Sequence, residues 1–298
     1  MKRNFLDYIK IALKGAGMGA ADVVPGVSGG TIAFITNIYE ELLSTIKSFN
    51  VKAFALLFSF KFKDFWKAIN GNFLISLLFG IGLSVFSLAH IVTSLLKTDP
   101  ILVWSFFFGL VLSSTYFVAR RISKWTLVTM LMFVLGAVAA YFITVLTPAE
   151  TPNSLFFIFI CGMLAICAMI LPGISGSFIL LLLGKYQFLM NALKTLDLSV
   201  LLTFGVGAMI GIVSFSHVLS FLLKKYYNFT IAILSGFMLG SLNKVWPWKE
   251  TVENGLDKYN QINILPNENV VEGLILMIMG FVLVYLLEVY SKKQEITE

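Results

Sequence analysis

The stretch Ala21-Asp22-Val23-Val24-Pro25-Gly26-Val27-Ser28-Gly29-Gly30-Thr31 returns 147 residues later as Ile170-Leu171-Pro172-Gly173-Ile174-Ser175-Gly176-Ser177, with Pro25 answering to Pro172. Each copy of Pro-Gly-x-Ser-Gly lies inside an apolar stretch. Proline removes a backbone donor and glycine loosens the chain, so a helix breaks at that point. The flanking arms of the first copy, 9–24 and 31–46, are short, and the second carries Glu40 and Glu41. Each copy therefore predicts a re-entrant hairpin. Broken backbone at membrane depth is tolerated only where protein or a wet cavity surrounds it, which places both hairpins in the interior.

Outward from the doubled motif, the same offset of 147 carries Gly15 onto Gly162 and Tyr39 onto Tyr186. An offset of 127 superposes Gly80 on Gly207, Ser87 on Ser214, His90 on His217 and Gly109 on Gly236. The offset changes because the charged stretch 47–67 has no counterpart, so that stretch is an insertion in the first half. Gly136 matches Gly280 in the last apolar run of each half. The expected fold is all-α: a polytopic integral membrane protein of two inverted repeats, residues 1–150 and 151–298. Each repeat holds a re-entrant helical hairpin, around 15–46 or 155–195, followed by three transmembrane helices.

Composition agrees with a membrane fold, for 58% of the 298 residues are hydrophobic and 13% charged, where a soluble domain carries about a quarter. Runs at 73–96, 101–119, 125–146, 200–223 and 270–290 reach or approach the ~20 residues that cross a hydrocarbon core. The first residues are basic without the apolar core and cleavage site of a secretory signal, and none is expected.

A net charge of +6 speaks for nucleic acid only on a soluble basic face, and no nucleic-acid partner is expected. With the N-terminus cytoplasmic, 16 Lys and Arg fall inside. Six fall outside, namely Lys97, Lys185, Lys194, Lys244, Lys249 and Lys258. The positive-inside rule thus puts both termini in the cytoplasm. Within the insertion at 47–69, Phe54, Leu57, Phe58, Phe62, Phe65 and Trp66 alternate with lysines, as in an amphipathic helix anchored on an anionic leaflet. Cys161 and Cys167 lack metal-ligand spacing and read as packing residues. Neither a metal nor another cofactor is expected.

Chemistry concentrates in the doubled turn. A half-helix starting near Ser28 or Ser175 offers free backbone N–H groups, a positive dipole end and a capping hydroxyl, which together suit an anion. Gly29, Gly30 and Gly176 would let an oxyanion approach the backbone, although the spacing is not that of a P-loop. A tight packing turn is the plainer reading. Two copies meeting near the midplane favour the anion site, with Pro25, Gly26, Ser28, Gly29, Gly30, Thr31, Pro172, Gly173, Ser175, Gly176 and Ser177 as substrate-binding positions.

Asp22 is either a functional intramembrane carboxylate or a cap for the hairpin. Met169 stands at its equivalent. His90 and His217, each one helical turn from a serine, suit proton coupling or headgroup contact, or an ordinary interhelical hydrogen bond. Gly15, Gly17 and Gly19 read as close helix packing. Tyr39 and Tyr186 read as interface markers, and Arg120 and Arg121 as anchors of a span end.

The two motifs and the surrounding spans resemble the bacterial polyprenyl-phosphate transporter family, from Lys10 to about Tyr290. The resemblance implies a flippase of the cell membrane returning undecaprenyl phosphate, or a related polyprenyl phosphate, from the outer to the cytoplasmic leaflet for peptidoglycan synthesis. The partners it implies are that lipid and the bilayer, and a homo-oligomer is left open. The motif is also similar to the hairpins of undecaprenyl-pyrophosphate phosphatases, where an arginine follows the serine. Gly29 and Gly176 stand there instead, so hydrolysis loses support and no enzyme is expected, an integral lipid-pyrophosphate phosphatase being kept as the rival reading. A small-anion permease is the rival within transport.

Overall fold

The computed structural model describes residues 3–24, 27–146, 148, 151–251 and 261–297. The first half comprises α1 (Phe5–Val23), α2 (Gly29–Ile35), α3 (Tyr39–Lys47), α4 (Val51–Phe58), α5 (Phe62–Ala68), α6 (Gly71–Thr98), α7 (Pro100–Ala119) and α8 (Leu127–Val145). In the second half follow α9 (Leu155–Ile170), α10 (Gly176–Leu182), α11 (Tyr186–Thr195), α12 (Leu198–Lys225), α13 (Tyr227–Ser241) and α14 (Val270–Thr297). Between α13 and α14, strands β1 (Lys249–Thr251) and β2 (Gln261–Asn263) pair antiparallel. The element order of the two halves is the same once α4, α5 and the β-hairpin are set aside.

Among the described residues five helices, α6, α7, α8, α12 and α14, are long and apolar enough to cross a membrane. Their outward faces carry Phe86, Leu127, Leu202, Met209 and Ile278, all exposed. A soluble protein would not leave so many large apolar side chains uncovered. The sixth expected span, α13, has only 15 residues. At 1.5 Å per residue it rises about 22 Å, short of a ~30 Å core. A tight turn through Lys244 and Val245 continues it.

Helix pairing explains the repeated glycines. α1 lies along α6 and α9 along α12, each within its own half, whereas α7 packs on α14 and α8 on α13, across the halves. Every crossing is notched. An added Cβ at Gly15 would overlap the Leu77 carbonyl, and one at Gly162 that of Phe204. At Gly109 it would strike Met277, and at Gly236 Phe133. Small residues let two backbones approach closely where lipid offers no hydrophobic drive for association. Gly15 and Gly19 thus pack closely against α6, as expected of them. A hydrogen bond from Ser113 Oγ to the Phe281 carbonyl, 3.0 Å, joins α7 to α14.

The insertion forms two short helices, α4 and α5, joined by a turn with Phe60 at φ 56°, and Phe54, Phe58, Phe60, Phe62 and Trp66 are exposed. One expectation needs correcting: the second arm of each hairpin is not a single helix. It breaks at Asn37 (φ 58°) and Gly184 (φ 62°), and α11 turns 108° from α10. These two residues are themselves 147 apart. Asparagine and glycine tolerate the left-handed conformation that other residues resist, which fixes the break at the same place in both halves.

Candidate functional site

The two hairpin tips meet inside the bundle. Ser28 is the N-cap of α2, where its Oγ accepts from Gly30 N at 3.1 Å and donates to the Met169 carbonyl at 2.9 Å. Thr31 Oγ1 accepts from Gly173 N at 3.1 Å, and Tyr39 OH donates to the Ile170 carbonyl at 3.1 Å. Three side chains of the first hairpin thereby satisfy backbone groups that the second leaves open at its break, as interior backbone requires. A Cβ at Gly30 would overlap the Ile170 carbonyl, so this glycine permits the contact. Gly173 has φ +102°, a conformation that suits glycine alone in so tight a turn.

Ser28, Gly29, Gly30, Thr31, Pro172, Gly173, Ser175 and Gly176 are all buried at or beside this junction, and Ser177 partly so. Pro25 and Gly26 lie outside the described residues. The expected free amides are not free in the first hairpin. Gly29 N donates to Asp22 Oδ1 at 2.7 Å, and Gly30 N is capped by Ser28. Asp22 is the cap of its own hairpin, a carboxylate placed where a helix dipole favours negative charge. In the second hairpin Ser175 Oγ accepts from Phe178 N at 3.3 Å and lies 3.2 Å from Ser177 Oγ. With Met169 in place of Asp22, that tip carries no matching carboxylate.

Cations hold the other end of α2. Lys14 Nζ donates to the Thr36 carbonyl at 2.8 Å, and Arg121 Nη2 donates to the Phe34 carbonyl at 3.2 Å and to Asn37. Arg121 also lies 3.8 Å from Glu288 of α14. A short helix with a carboxylate at its start and cations at its end has its dipole compensated at both ends. Arg121 is thus more than the anchor expected of it. In the second half Lys185, itself buried, donates to the Thr151 carbonyl and Asn153 Oδ1 at 2.6 and 2.7 Å.

Among the described residues, cavities open beside the second arm of each hairpin. One, of about 560 Å³, lies beside α10 and α11 and is lined by Tyr141, Phe178, Tyr186, Asn243, Lys244 and Lys249 among others. Lys244 Nζ sits 4.5 Å from the centre of the Phe178 ring, and Lys249 Nζ 4.3 Å from that of Trp104. Burial lowers the pKa of Lys244, and burial with the nearby Lys244 charge pushes Lys249 down to about 7. The other cavity, of about 500 Å³, lies beside α3 and is lined by Glu40, Glu41, Ser44, Ser220, Lys224 and Tyr227 among others. Since Tyr39 and Glu40 correspond to Tyr186 and Gln187, the cavities occupy related places in the two halves.

Several expectations are revised. Tyr39 is 2% exposed and ties the hairpins together, so it is no interface marker. Tyr186 lines the larger cavity. His217 sits on an exposed face of α12 with Nδ1 2.8 Å from the Val213 carbonyl of its own helix, away from the junction. The side chain of His90 lies outside the described residues. Ser87 Oγ bonds to Leu83 of its own helix at 2.6 Å. The sequence does not reveal that Lys244 and Lys249, counted only as outside charges, line one cavity, or that Lys14, counted only as an inside one, bonds to the end of α2.

A family model described as undecaprenyl phosphate translocase-like matches residues 18–263. A polyprenyl-phosphate transporter of Vibrio cholerae is 49% identical over 252 residues, covering 85% of this chain and 82% of that protein. A polyprenyl-phosphate transporter of Staphylococcus aureus is 32% identical over 253 residues, covering 79% of this chain and 85% of its own. No solved structure matches the chain.

Proposed function

Because this chain belongs to the undecaprenyl phosphate translocase-like family, we propose that it carries undecaprenyl phosphate or a related polyprenyl phosphate across the bacterial cell membrane. It moves the lipid from the outer to the cytoplasmic leaflet, with both termini cytoplasmic and the two halves inverted in the bilayer. The observation that carries this reading is the hydrogen-bonded junction of two broken hairpins, with a cavity beside the second arm of each. A bare phosphate in hydrocarbon is prohibitively costly, so a carrier must replace its water with fixed donors while the prenyl tail stays in lipid.

The headgroup enters by the larger cavity and reaches the junction. There it takes over the bonds that Ser28 and Thr31 make across to the second hairpin, and the Gly29 amide that Asp22 caps within the first. It leaves by the cavity beside α3. The halves do not rock as whole repeats, because α7·α14 and α8·α13 tie them together. Instead the first hairpin, with α1 and α6, moves against the second, with α9 and α12. The carrier acts without hydrolysis: neither serine motif is followed by arginine, and His217 stands away from the junction.

The test is reconstitution with a labelled polyprenyl phosphate whose leaflet is read by a membrane-impermeant quencher. Leaflet exchange without release of inorganic phosphate is expected. Phosphate release from a lipid pyrophosphate would instead identify a phosphatase. Uptake of a soluble anion with no change in lipid sidedness would identify a permease.

A further inference from the structure

We infer that Lys244 and Lys249 form the capture site for the lipid's phosphate headgroup, in a vestibule that admits the lipid sideways from the leaflet at the α10–α11 end of the bundle. The inference rests on the translocation reading and adds to it where the headgroup first binds and through which residues. Both ammonium groups line one cavity of about 560 Å³. Among the described residues neither forms an ion pair, the three pairs found there being Arg3–Glu41, Lys10–Asp7 and Arg121–Glu288. Instead, Lys244 rests over Phe178 and Lys249 over Trp104, with Lys249 also donating to the Lys244 carbonyl.

Two half-buried lysines held by ring faces, and in the case of Lys249 by the Lys244 carbonyl, rather than by carboxylates, are poised for a ligand that brings negative charge. Aromatic faces attract ammonium groups but leave their remaining protons available. Burial has already stripped part of their water, as the lowered pKa of each records. A doubly charged phosphomonoester accepts from both and offsets that cost.

The walls choose lipid over a free anion. Tyr141, Val145 and Leu146 of the α8 end line the cavity, and they are 48%, 48% and 59% exposed. The vestibule is therefore continuous with the apolar outer surface of α8, so a headgroup can enter while its tail stays in the bilayer. Phe178 connects the site to the junction, for it sits three residues after Ser175 and its own amide is capped by that serine. At the opposite end, the cavity beside α3 carries Glu40 and Glu41 with Lys224. Of the residues lining that cavity Lys224 is the one cation, and Glu41 is already paired with Arg3, so two ammonium groups facing one space belong to the first cavity.

The test uses the full chain in vesicles with a fluorescent polyprenyl phosphate. The K244Q/K249Q variant should raise the half-saturating lipid concentration at least about tenfold, the ratio set by losing ~1.4 kcal/mol of charge-assisted hydrogen bonding. Its maximal rate and thermal melting in detergent should stay near those of the parent, and K244R/K249R should restore most of the affinity. If the double variant melts early, K244Q and K249Q singly carry the same measurement. Unchanged half-saturation in the glutamine variants, with the parent active, overturns the capture site and leaves translocation standing. No leaflet exchange by the parent sinks translocation itself, and lipid binding in detergent, lost or kept in K244Q/K249Q, then still decides the lysines. Inorganic phosphate competing with the lipid at equal concentration overturns the assignment to a lipid headgroup.

Discussion

Asp22 is a structural cap whose position, on the proposed function, would also make it a switch. Its carboxylate holds the Gly29 amide, and on the translocation proposed above a headgroup would compete with it for that donor. Asp22→Asn should keep the cap, with a thermal stability loss of about 1 kcal/mol or less, yet bind polyprenyl phosphate several-fold more tightly in a detergent binding assay. If protonation of Asp22 is what frees the amide, an imposed pH gradient will alter transport by the parent and not by Asp22→Asn. A second pH effect belongs to Lys249, whose ammonium titrates at about 7. The other titratable groups lining that cavity are Lys244, Tyr141 and Tyr186. Above that pH Lys249 is neutral until an anion binds, so headgroup affinity should fall as pH rises from 7 towards 9. K249R, charged throughout, should flatten that slope. The sequence marked Asp22 and the serines because they flank a proline and a glycine inside an apolar run. It left Lys244 and Lys249 as ordinary loop charges, since no local pattern tells that Phe178, 66 residues earlier, and Trp104 will lie beneath them.

Among the helices, the repeat was legible because its constraints are steric. Glycines that match across the halves, Gly15 with Gly162 and Gly109 with Gly236, are those at which a Cβ would strike the neighbouring backbone. Replacing Gly236 by alanine should cost about 1–3 kcal/mol, as overpacking of a tight contact does. Gly205 has open space around it, so alanine there should leave melting unchanged. The second break in each hairpin was less visible, because Asn37-Ile38-Tyr39 and Gly184-Lys185-Tyr186 share only the tyrosine in type. What the pair has in common is a left-handed residue. Gly184→Ala should therefore destabilise by about 1–2 kcal/mol, while Asn37→Gly should be nearly neutral in a thermal melt. α13 has no apolar run of spanning length in the sequence and is expected only from the count of three spans per half, in keeping with its 15 residues.

Across the whole molecule, the halves are alike in sequence and inseparable in structure. α7 finds its partner in α14 and α8 in α13, so neither half buries its notched faces alone. Residues 1–150 expressed by themselves should not give a monodisperse particle in detergent, whereas co-expression with 151–298 should restore one, as size-exclusion chromatography would show. The same lacing sets a schedule for biogenesis. α7 and α8 leave the ribosome well before α13 and α14 exist. At 5–20 residues per second the interval is roughly 5–35 s. Throughout that time the grooves at Gly109 and Gly136 have only acyl chains to fill them, and the nascent chain waits in the bilayer unfinished. Its last helix completes the fold, and any stall in translation before α14 strands a half-zipped protein for the membrane proteases.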